Sequence, residues 1–580
     1  MPLIPLDRMP FLRRVERAAL NAVEDEVEWF CLPAGQILFE EGDPGDAFYL
    51  VRSGALAAFH KGADGRPNLV GHIRAGEPVG EMALVEDRPH SASVYALRDS
   101  EIMRLPKRAF DTLTRKHGSL MRELARMMLH RLRGNSPSAR NEPKVFALIA
   151  TSPSIDLRFR TARLCQALEE FGLNVLVMDE SLVDEAPAKL DRMDANHDIT
   201  LICATLAQTK WSKRAMNRAD RVWILARDDA MPSNPLMPES PAPSAKLKLI
   251  DVVLLHFNGT RPACNPAEWA KAAGAARVFH WRQDNHEDVD HLARTITGRS
   301  LGLVLSGGGS RAYAHIGAIK ALRQAGLSFD FLGGVSMGAI IAAGVAKGWD
   351  NQELEARVRE AFVETNPLSD WTLPVIAMTK GHKVDKRLKH HFGEDDICDL
   401  PRPFFCISSN LTNGEVRVHR SGKLREALRA SIAIPGLLPP VIEGQDVLVD
   451  GAVFNNFPAR EMRAFHRGAT IGCDVTRARG ISVEDFINPP SFWNWAAKHG
   501  LSDPPPIASL LIRAATVGTA EEHSQTQEAA DLLILPQIDM DLREWKRFDD
   551  AVEAGYRAAS EALDAHPSLA RQASKTLKQL

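Results

Sequence analysis

The sequence has little cysteine and almost no net charge, and both shortages exclude classes of protein. Seven cysteines occur in 580 residues, an odd number at scattered positions, so neither a disulfide framework nor a zinc site is predicted. The net charge of −3 leaves no basic surface for nucleic acid. Because 45% of the residues are hydrophobic, we expect a globular protein. The scattered cysteines suit the reduced core thiols of a cytoplasmic protein. We expect neither a cofactor nor a metal ion.

Long apolar runs are also missing. No stretch reaches 18 apolar residues, and the first 20 residues lack a secretory cleavage site, so neither a membrane-spanning helix nor a secretory signal is predicted. In the segment 486–512, Phe492, Trp493 and Trp495 lie among prolines. Tryptophan suits both a membrane interface and a protein core, so peripheral membrane contact and ordinary core packing are both open.

The most informative stretch contains a serine between two glycines. An apolar run at 329–332 leads into Gly334-Val335-Ser336-Met337-Gly338, and an apolar helical pattern follows directly. A sharp strand-to-helix turn lifts a hydroxyl off a sheet, and its flanks need residues without a Cβ, which Gly334 and Gly338 supply. The pattern G-x-S-x-G also occurs by chance in ordinary turns. The residues around it therefore decide whether it indicates a catalytic serine.

A glycine loop precedes this turn. The apolar run Leu301–Leu305 predicts a buried strand, and Gly307, Gly308 and Gly309 follow it before a helical pattern. Such a loop can direct backbone N–H groups at a developing oxyanion. It lacks the Lys-Ser/Thr of a P-loop, and Ala312 replaces the last glycine of a dinucleotide fingerprint, so a nucleotide site is a poorer interpretation.

These segments resemble the patatin-like phospholipases, most closely the neuropathy target esterase-like branch, over roughly 300–580. The matching blocks are SGGGSRAYAHIG, GVSMG, ASIAIPGLLPPV and DGAVFNNFP. The resemblance implies a serine esterase acting on phospholipids or lysophospholipids, with Ser336 as nucleophile, Asp450 as general base and an oxyanion hole in the loop Gly307, Gly308, Gly309, Ser310 and Arg311. Ser306 and Ala312 depart from the branch's pattern, but both are small.

A Ser–His–Asp triad is the alternative to this dyad. The order Ser336, Asp450, His466 fits an α/β-hydrolase. However, His466 lies in the sequence AFHRG, where we expect the exposed side of a helix. A non-catalytic, nucleotide-sensing regulatory protein and an acyltransferase are the alternatives to the esterase itself.

The N-terminal part has a different pattern, with short strands separated by glycine turns from 31 to 105. The segments EEGDPGDAFYLVRSGAL and VGEMALVEDRPHSASVYA resemble a cyclic nucleotide-binding domain. The resemblance assigns Gly80 and Glu81 to the ribose and the segment of His90 and Ser91 to the phosphate. His90 stands where that family has an arginine, and a neutral histidine is a poorer phosphate partner, so nucleotide binding and a purely contact-making β-roll are both open.

Three domains are predicted: a cyclic nucleotide-binding-like β-roll at 1–140, a parallel α/β spacer at 141–299, and a patatin-like α/β domain at 300–580. Apolar strands alternate with helical segments through the spacer, which favours a mostly parallel sheet. Lysines and histidines between 383 and 391 suit a solvated helix face, which we prefer, or a contact with anionic headgroups.

Overall fold

The computed structural model describes residues 24–61, 67–116, 118, 121–122, 124–126, 143–207, 209–233, 236, 249–257, 259, 262–365, 369–373, 375–476, 524, 526–540 and 544–566. The tryptophan-containing segment 486–512 lies outside these residues. Two compact units are present: residues 1–261 with 269–277, and residues 262–268 with 278–580. The predicted boundaries at 140 and 299 stay predictions.

The first unit begins with an antiparallel β-roll. Its strands are β1 (Glu28–Leu32), β2 (Ile37–Phe39), β3 (Ala47–Lys61), β4 (Pro67–Arg74), β5 (Pro78–Val79) and β6 (Ser93–Pro106). The two long strands β3 and β6 pair along most of their length, and a short helix, Glu81–Glu86, lies between β5 and β6. Helix Lys107–Lys116 follows, and its buried Phe110 stacks on Phe48 with ring centres 5.3 Å apart. The predicted β-roll is confirmed.

A parallel sheet makes up the rest of the first unit. Its strands are β7 (Val145–Ala150), β8 (Val175–Met178), β9 (Ile199–Thr205), β10 (Arg221–Arg227) and β11 (Leu249–His256), in the order β11-β10-β7-β9-β8. Helices Leu157–Glu170, Pro187–Ala195 and Lys210–Arg218 connect them. Helix Pro266–Ala273 and strand β12 (Arg277–Arg282) span the division between the units. The predicted alternation of strands and helices is therefore confirmed.

The second unit is built on an eight-stranded, mostly parallel sheet. Its strands are β13 (Leu301–Leu305), β14 (Phe331–Val335), β15 (Phe404–Asn410), β16 (Glu415–His419), β17 (Val441–Glu443), β18 (Asp446–Asp450), β19 (Ala469–Cys473) and β20 (Leu532–Ile534). Strands β15, β14, β13, β19 and β20 are parallel neighbours, whereas β16 and β18 run antiparallel to β15. The carboxyl ends of the parallel strands therefore meet at one edge, where α/β proteins place their sites.

Helices cover this sheet. Their bounds are His286–Ile296, Ala314–Gln324, Met337–Ala346, Asn351–Arg359, His382–Phe392, Leu424–Ser431, Ala459–Phe465 and Phe548–Ala565. Shorter 3-10 turns occur at Gly309–Tyr313, Ile397–Asp399 and Gly451–Val453, and a π-helical turn occurs at Glu360–Glu364. Among the described helices, none has both the length and the apolar composition needed to cross a bilayer. All seven cysteines are free thiols.

Two glycines allow a close contact between two described helices of this unit. A Cβ on Gly317 would lie 1.8 Å from the carbonyl oxygen of Val552, and a Cβ on Gly555 would lie 1.8 Å from that of Ala314. Helices Ala314–Gln324 and Phe548–Ala565 therefore touch backbone to backbone. The obstructing atoms belong to the main chain, so a side chain cannot move aside to make room.

We therefore expect Gly317→Ala to destabilise the protein, because the new methyl group forces the two helices apart. Overpacking of this kind costs about 1–3 kcal/mol. Urea unfolding of the full chain, followed by circular dichroism, measures the loss. Gly71→Ala is the control, since a Cβ there meets nothing within 4 Å. An unchanged unfolding midpoint for Gly317→Ala would contradict this packing.

Candidate active site

Ser336 occupies a strained turn between β14 and the helix Met337–Ala346. Its φ of 53° lies in the left-handed region that residues with a side chain rarely adopt. Among the described non-glycine residues, Asp87 alone also has a positive φ. A Cβ on Gly338 would lie 2.4 Å from the carbonyl oxygen of Ser306, and one on Gly334 would lie 2.8 Å from the carbonyl carbon of Gly338. Gly334 and Gly338, the two glycines predicted to flank the turn, thus lie where the backbone approaches too closely for a side chain.

The register of the sheet brings Asp450 to the same place. Val335 pairs with Ile407 between β14 and β15, and the next residue of β15, Ser408, pairs with Asp450 of β18. Asp450 is the last residue of β18 and therefore lies level with Ser336. The Ser336 hydroxyl donates a hydrogen bond to Oδ2 of Asp450 with an Oγ–Oδ2 distance of 2.7 Å. The two residues are 7% and 3% exposed, so this contact is largely shielded from water.

The Asp450 carboxyl group has few donors and no ion-pair partner among the described residues. Its Oδ1 accepts the Ala452 N–H at 2.9 Å, and its Oδ2 accepts the serine hydroxyl. Burial disfavours the charged form more than these two bonds favour it, and the result raises the pKa of Asp450 to about 7. A carboxyl group of this kind can exchange a proton near neutral pH, which is what a general base requires.

In the glycine loop, two backbone N–H groups are already bonded and two others are available as donors. The Gly307 N–H donates to the Asn456 carbonyl at 3.3 Å, and the Arg311 N–H donates to the Gly308 carbonyl at 3.1 Å. The N–H groups of Gly308 and Gly309 have no acceptor in the part of the chain that the structure describes. Gly307 lies close to Ser336, since a Cβ added to Gly307 would be 3.2 Å from the Cβ of Ser336. Ser310, the remaining residue predicted for the hole, is fully buried.

Three supporting residues escaped the interpretation of the sequence. Ser431 accepts the backbone N–H of Ser336 at 3.0 Å, and Ser306 accepts that of Val475 at 2.9 Å. Asn456 also donates its amide to the Gly307 carbonyl at 3.3 Å. Ser431 and Asn456 lie in blocks already quoted for the resemblance, ASIAIPGLLPPV and DGAVFNNFP, and that coincidence is the signal that could have identified them.

Two histidines near the sheet, His466 and His315, make their hydrogen bonds away from Ser336 and Asp450. His466 was expected on an exposed helix side, but this prediction is wrong: the helix ends at Phe465, and His466 turns back, 3% exposed, to stack on Phe331. Its Nδ1 lies 3.2 Å from the Ser300 hydroxyl, which precedes β13, whereas the glycine loop follows β13. His315 donates from Nε2 to the Ser306 carbonyl at 2.9 Å, and burial lowers its pKa to about 4. Neither bonds to Ser336 or Asp450 in the described structure.

The predicted nucleotide site of the β-roll is closely packed. Gly80 has a φ of 83° and caps the helix that begins at Glu81, whose side chain is 1% exposed. The His90 ring, 5% exposed, stacks on Phe39 with ring centres 3.6 Å apart. Desolvation lowers the pKa of His90, so the ring is neutral at pH 7. Ser91, the next residue along, is exposed.

One group of side chains in the described residues has the composition of a metal site: Glu360, His390 and His391. The Glu360 carboxylate already lies 3.4 Å from Arg387 Nη1 and 3.5 Å from His390 Nε2. A guanidinium competes with a cation for that carboxylate, so these residues do not fit a resident metal ion. We therefore assign no chemistry to a metal.

Two family models match the chain. Residues 303–463 match the patatin-like phospholipase model, and residues 30–117 match the cyclic nucleotide-binding domain model. The first range contains the glycine loop, Ser336 and Asp450. The second contains most of the β-roll.

Curated relatives align with nearly the whole sequence. An NTE family protein of Mycobacterium tuberculosis is 31% identical, with 98% of this chain and 97% of that protein aligned. Human patatin-like phospholipase domain-containing protein 6 is 26% identical over 94% of this chain and 45% of its own length. A lysophospholipase of Aspergillus niger is 24% identical over 93% and 42%. The chain therefore belongs to the NTE family, with a patatin-like phospholipase domain after a cyclic nucleotide-binding domain.

Proposed function

We propose that the protein hydrolyses the carboxylic esters of phospholipids or lysophospholipids through a dyad of Ser336 and Asp450. The observation that carries this proposal is the buried 2.7 Å hydrogen bond from the serine hydroxyl to the carboxyl group. A serine hydroxyl is a weak nucleophile until a base takes its proton, and Asp450 is the base within reach. The lysophospholipase named among the relatives supports the choice of substrate.

The reaction takes place in two steps, acylation of Ser336 and hydrolysis of the acyl-serine. Ser336 Oγ attacks the acyl carbonyl while its proton passes to Asp450, and the protonated carboxyl group then gives that proton to the departing alcohol. In the second step, Asp450 accepts a proton from water, and the resulting hydroxide adds to the acyl-serine. Ser336 then leaves with the proton returned by Asp450, and the fatty acid is released. The N–H groups of Gly308 and Gly309 are the donors we assign to the oxyanion in both steps.

A small apolar crevice lies near Ser336, but its cavity volume of about 20 Å³ holds little more than one water molecule and cannot hold an acyl chain. Ile340, one turn beyond the nucleophile, and Ile432, next to Ser431, line this crevice together with Val384, Leu388 and Phe362. The crevice thus begins beside the residues that hold Ser336.

Transfer of the acyl group to an acceptor other than water uses the same acyl-serine, and we keep it as the second chemical outcome. A non-catalytic scaffold has less support, because a strained serine bonded to a buried carboxyl group serves no structural need. We expect a fluorophosphonate probe to label Ser336, since only an activated serine reacts. The cytoplasmic location stays a prediction.

We expect Asp450→Asn to lower kcat for a soluble p-nitrophenyl ester by about 10²–10⁴-fold, because the amide cannot accept the serine proton. Ser336→Ala should abolish both turnover and fluorophosphonate labelling. His466→Gln is the matched control, since it preserves a polar side chain of similar size away from the dyad. If His466→Gln loses hydrolysis while its unfolding midpoint is unchanged, a triad replaces the dyad.

The raised pKa of Asp450 sets the pH dependence. The base acts as a carboxylate, so kcat/KM should increase from about one unit below its pKa of about 7 and level off about one unit above it. Initial rates with the soluble ester across this range give the profile. A rate already constant from pH 5 upward would mean that Asp450 ionises at its ordinary pKa and is not held as described.

For the β-roll, the neutral His90 ring packed on Phe39 favours a contact-making domain over a nucleotide sensor. A cyclic phosphate needs a fixed positive charge, and His90 does not provide one. We expect calorimetry of the full chain with cyclic AMP and cyclic GMP to show no binding up to millimolar ligand. Saturable heat with either nucleotide would restore the sensing role.

A further inference from the structure

Three strongly exposed apolar side chains lie together on one loop of the second unit. Leu373, Val375 and Ile376 are 86%, 91% and 70% exposed, more than any other large hydrophobic residue in the described chain. Isolated exposed leucines are common on protein surfaces, but a contiguous group usually marks a contact. We call these three residues the apolar tip.

The loop that carries the tip is a bonded hairpin. Lys380 N–H donates to the Asp370 carbonyl at 2.9 Å, and Thr372 N–H donates to the Met378 carbonyl at 2.9 Å. A bridge pairs Trp371 with Thr379. Because the base of the hairpin is fixed, the tip projects from a defined position.

The base of the hairpin is bonded to the backbone that supports the dyad. Met378 and Thr379 donate their N–H groups to the carbonyls of Gly436 and Leu437, at 2.9 and 3.1 Å. The same segment begins at Ser431, which accepts the Ser336 N–H, and includes Ala433, whose carbonyl accepts the Asp450 N–H at 2.9 Å. A surface that contacts the tip is therefore held close to Ser336 and Asp450.

The surroundings of the tip are basic. Between residues 369 and 389 the sequence contains five lysines and arginines but two aspartates. One of these, Asp385, pairs with Arg429, and the other, Asp370, accepts the backbone N–H of Lys383. Lys380, Lys383 and Lys386 are exposed and have no carboxylate partner in the described structure. Positive charge beside an apolar insertion is the pattern that anionic lipid surfaces attract.

We propose that residues 370–380 form a membrane-docking hairpin, whose tip enters the acyl layer of a phospholipid surface while Lys380, Lys383 and Lys386 meet anionic headgroups. This inference rests on the proposed lipid substrate and adds how the enzyme reaches it. The hairpin then holds Ser336 close to the surface that contains the substrate. A folded protein partner and a second copy of the chain are the competing occupants.

The decisive variant is the triple substitution L373S/V375S/I376S in the full chain. We expect at least about tenfold weaker co-sedimentation with vesicles of phosphatidylcholine and phosphatidylglycerol, because three apolar side chains no longer enter the membrane. Hydrolysis of vesicle phospholipid should decrease in parallel, whereas turnover of a soluble p-nitrophenyl ester should not. The matched control is M231S/L411S/L535S, which removes three other exposed apolar side chains, 66%, 51% and 45% exposed.

A second variant, K383E/K386E, tests the contact of the lysines with anionic headgroups. Each lost lysine should weaken binding to vesicles containing phosphatidylglycerol by about fivefold, with little change on pure phosphatidylcholine. Hydrogen exchange of the unaltered protein gives a measurement independent of any variant. Amides of residues 369–380 should exchange more slowly when vesicles are present.

The results separate this inference from the proposed function. Unchanged vesicle binding by L373S/V375S/I376S, or no protection of the hairpin in the unaltered protein, overturns the inference. Loss of a dimer in that variant with vesicle binding intact also overturns it, in favour of a second copy. If the unaltered protein docks through the hairpin but cleaves neither ester, the docking inference holds and the proposed function fails.

Discussion

A carboxyl group that is buried with no cation beside it among the described residues is the constraint on which the proposed active site depends. Asp450 is 3% exposed and receives two hydrogen bonds, one from Ala452 and one from Ser336. In water such a group ionises well below neutral pH, but burial moves its pKa to about 7. In the proposed dyad, Asp450 is therefore the proton acceptor at neutral pH, the role that a histidine has in Ser–His–Asp hydrolases.

The position of that carboxyl group depends on backbone contacts that only small residues allow. Gly338 lets the helix Met337–Ala346 begin against the carbonyl of Ser306, and Gly451 lies against the carbonyl of Ile407, where a Cβ would be 2.6 Å away. These contacts bring β13, β14 and β18 to one edge of the sheet. The cost is the strained φ of Ser336, which is maintained because the surrounding strands and the Ser431 hydroxyl fix the turn.

Local patterns in the sequence predicted much of this fold. The bounds predicted for β13, Leu301–Leu305, are those observed, and the strand-turn-helix context of Ser336 is confirmed. The partnership of Ser336 with Asp450 came from the resemblance, since 114 positions separate them. The burial of His466 was not predictable, because it depends on Phe331 from a distant strand. The apolar tip was missed for the same reason: a sequence does not show which side chains lack neighbours.

The most direct measurement is the ionisation of Asp450 itself, by infrared difference spectroscopy of the intact protein against Asp450→Asn as a function of pH. The account predicts the carbonyl band of a protonated carboxyl group that disappears with a midpoint near the pKa of about 7. Loss of that band near the ordinary aspartate pKa of 3.8 would contradict it, because Asp450 would then be an ordinary solvated carboxylate rather than the base that activates Ser336.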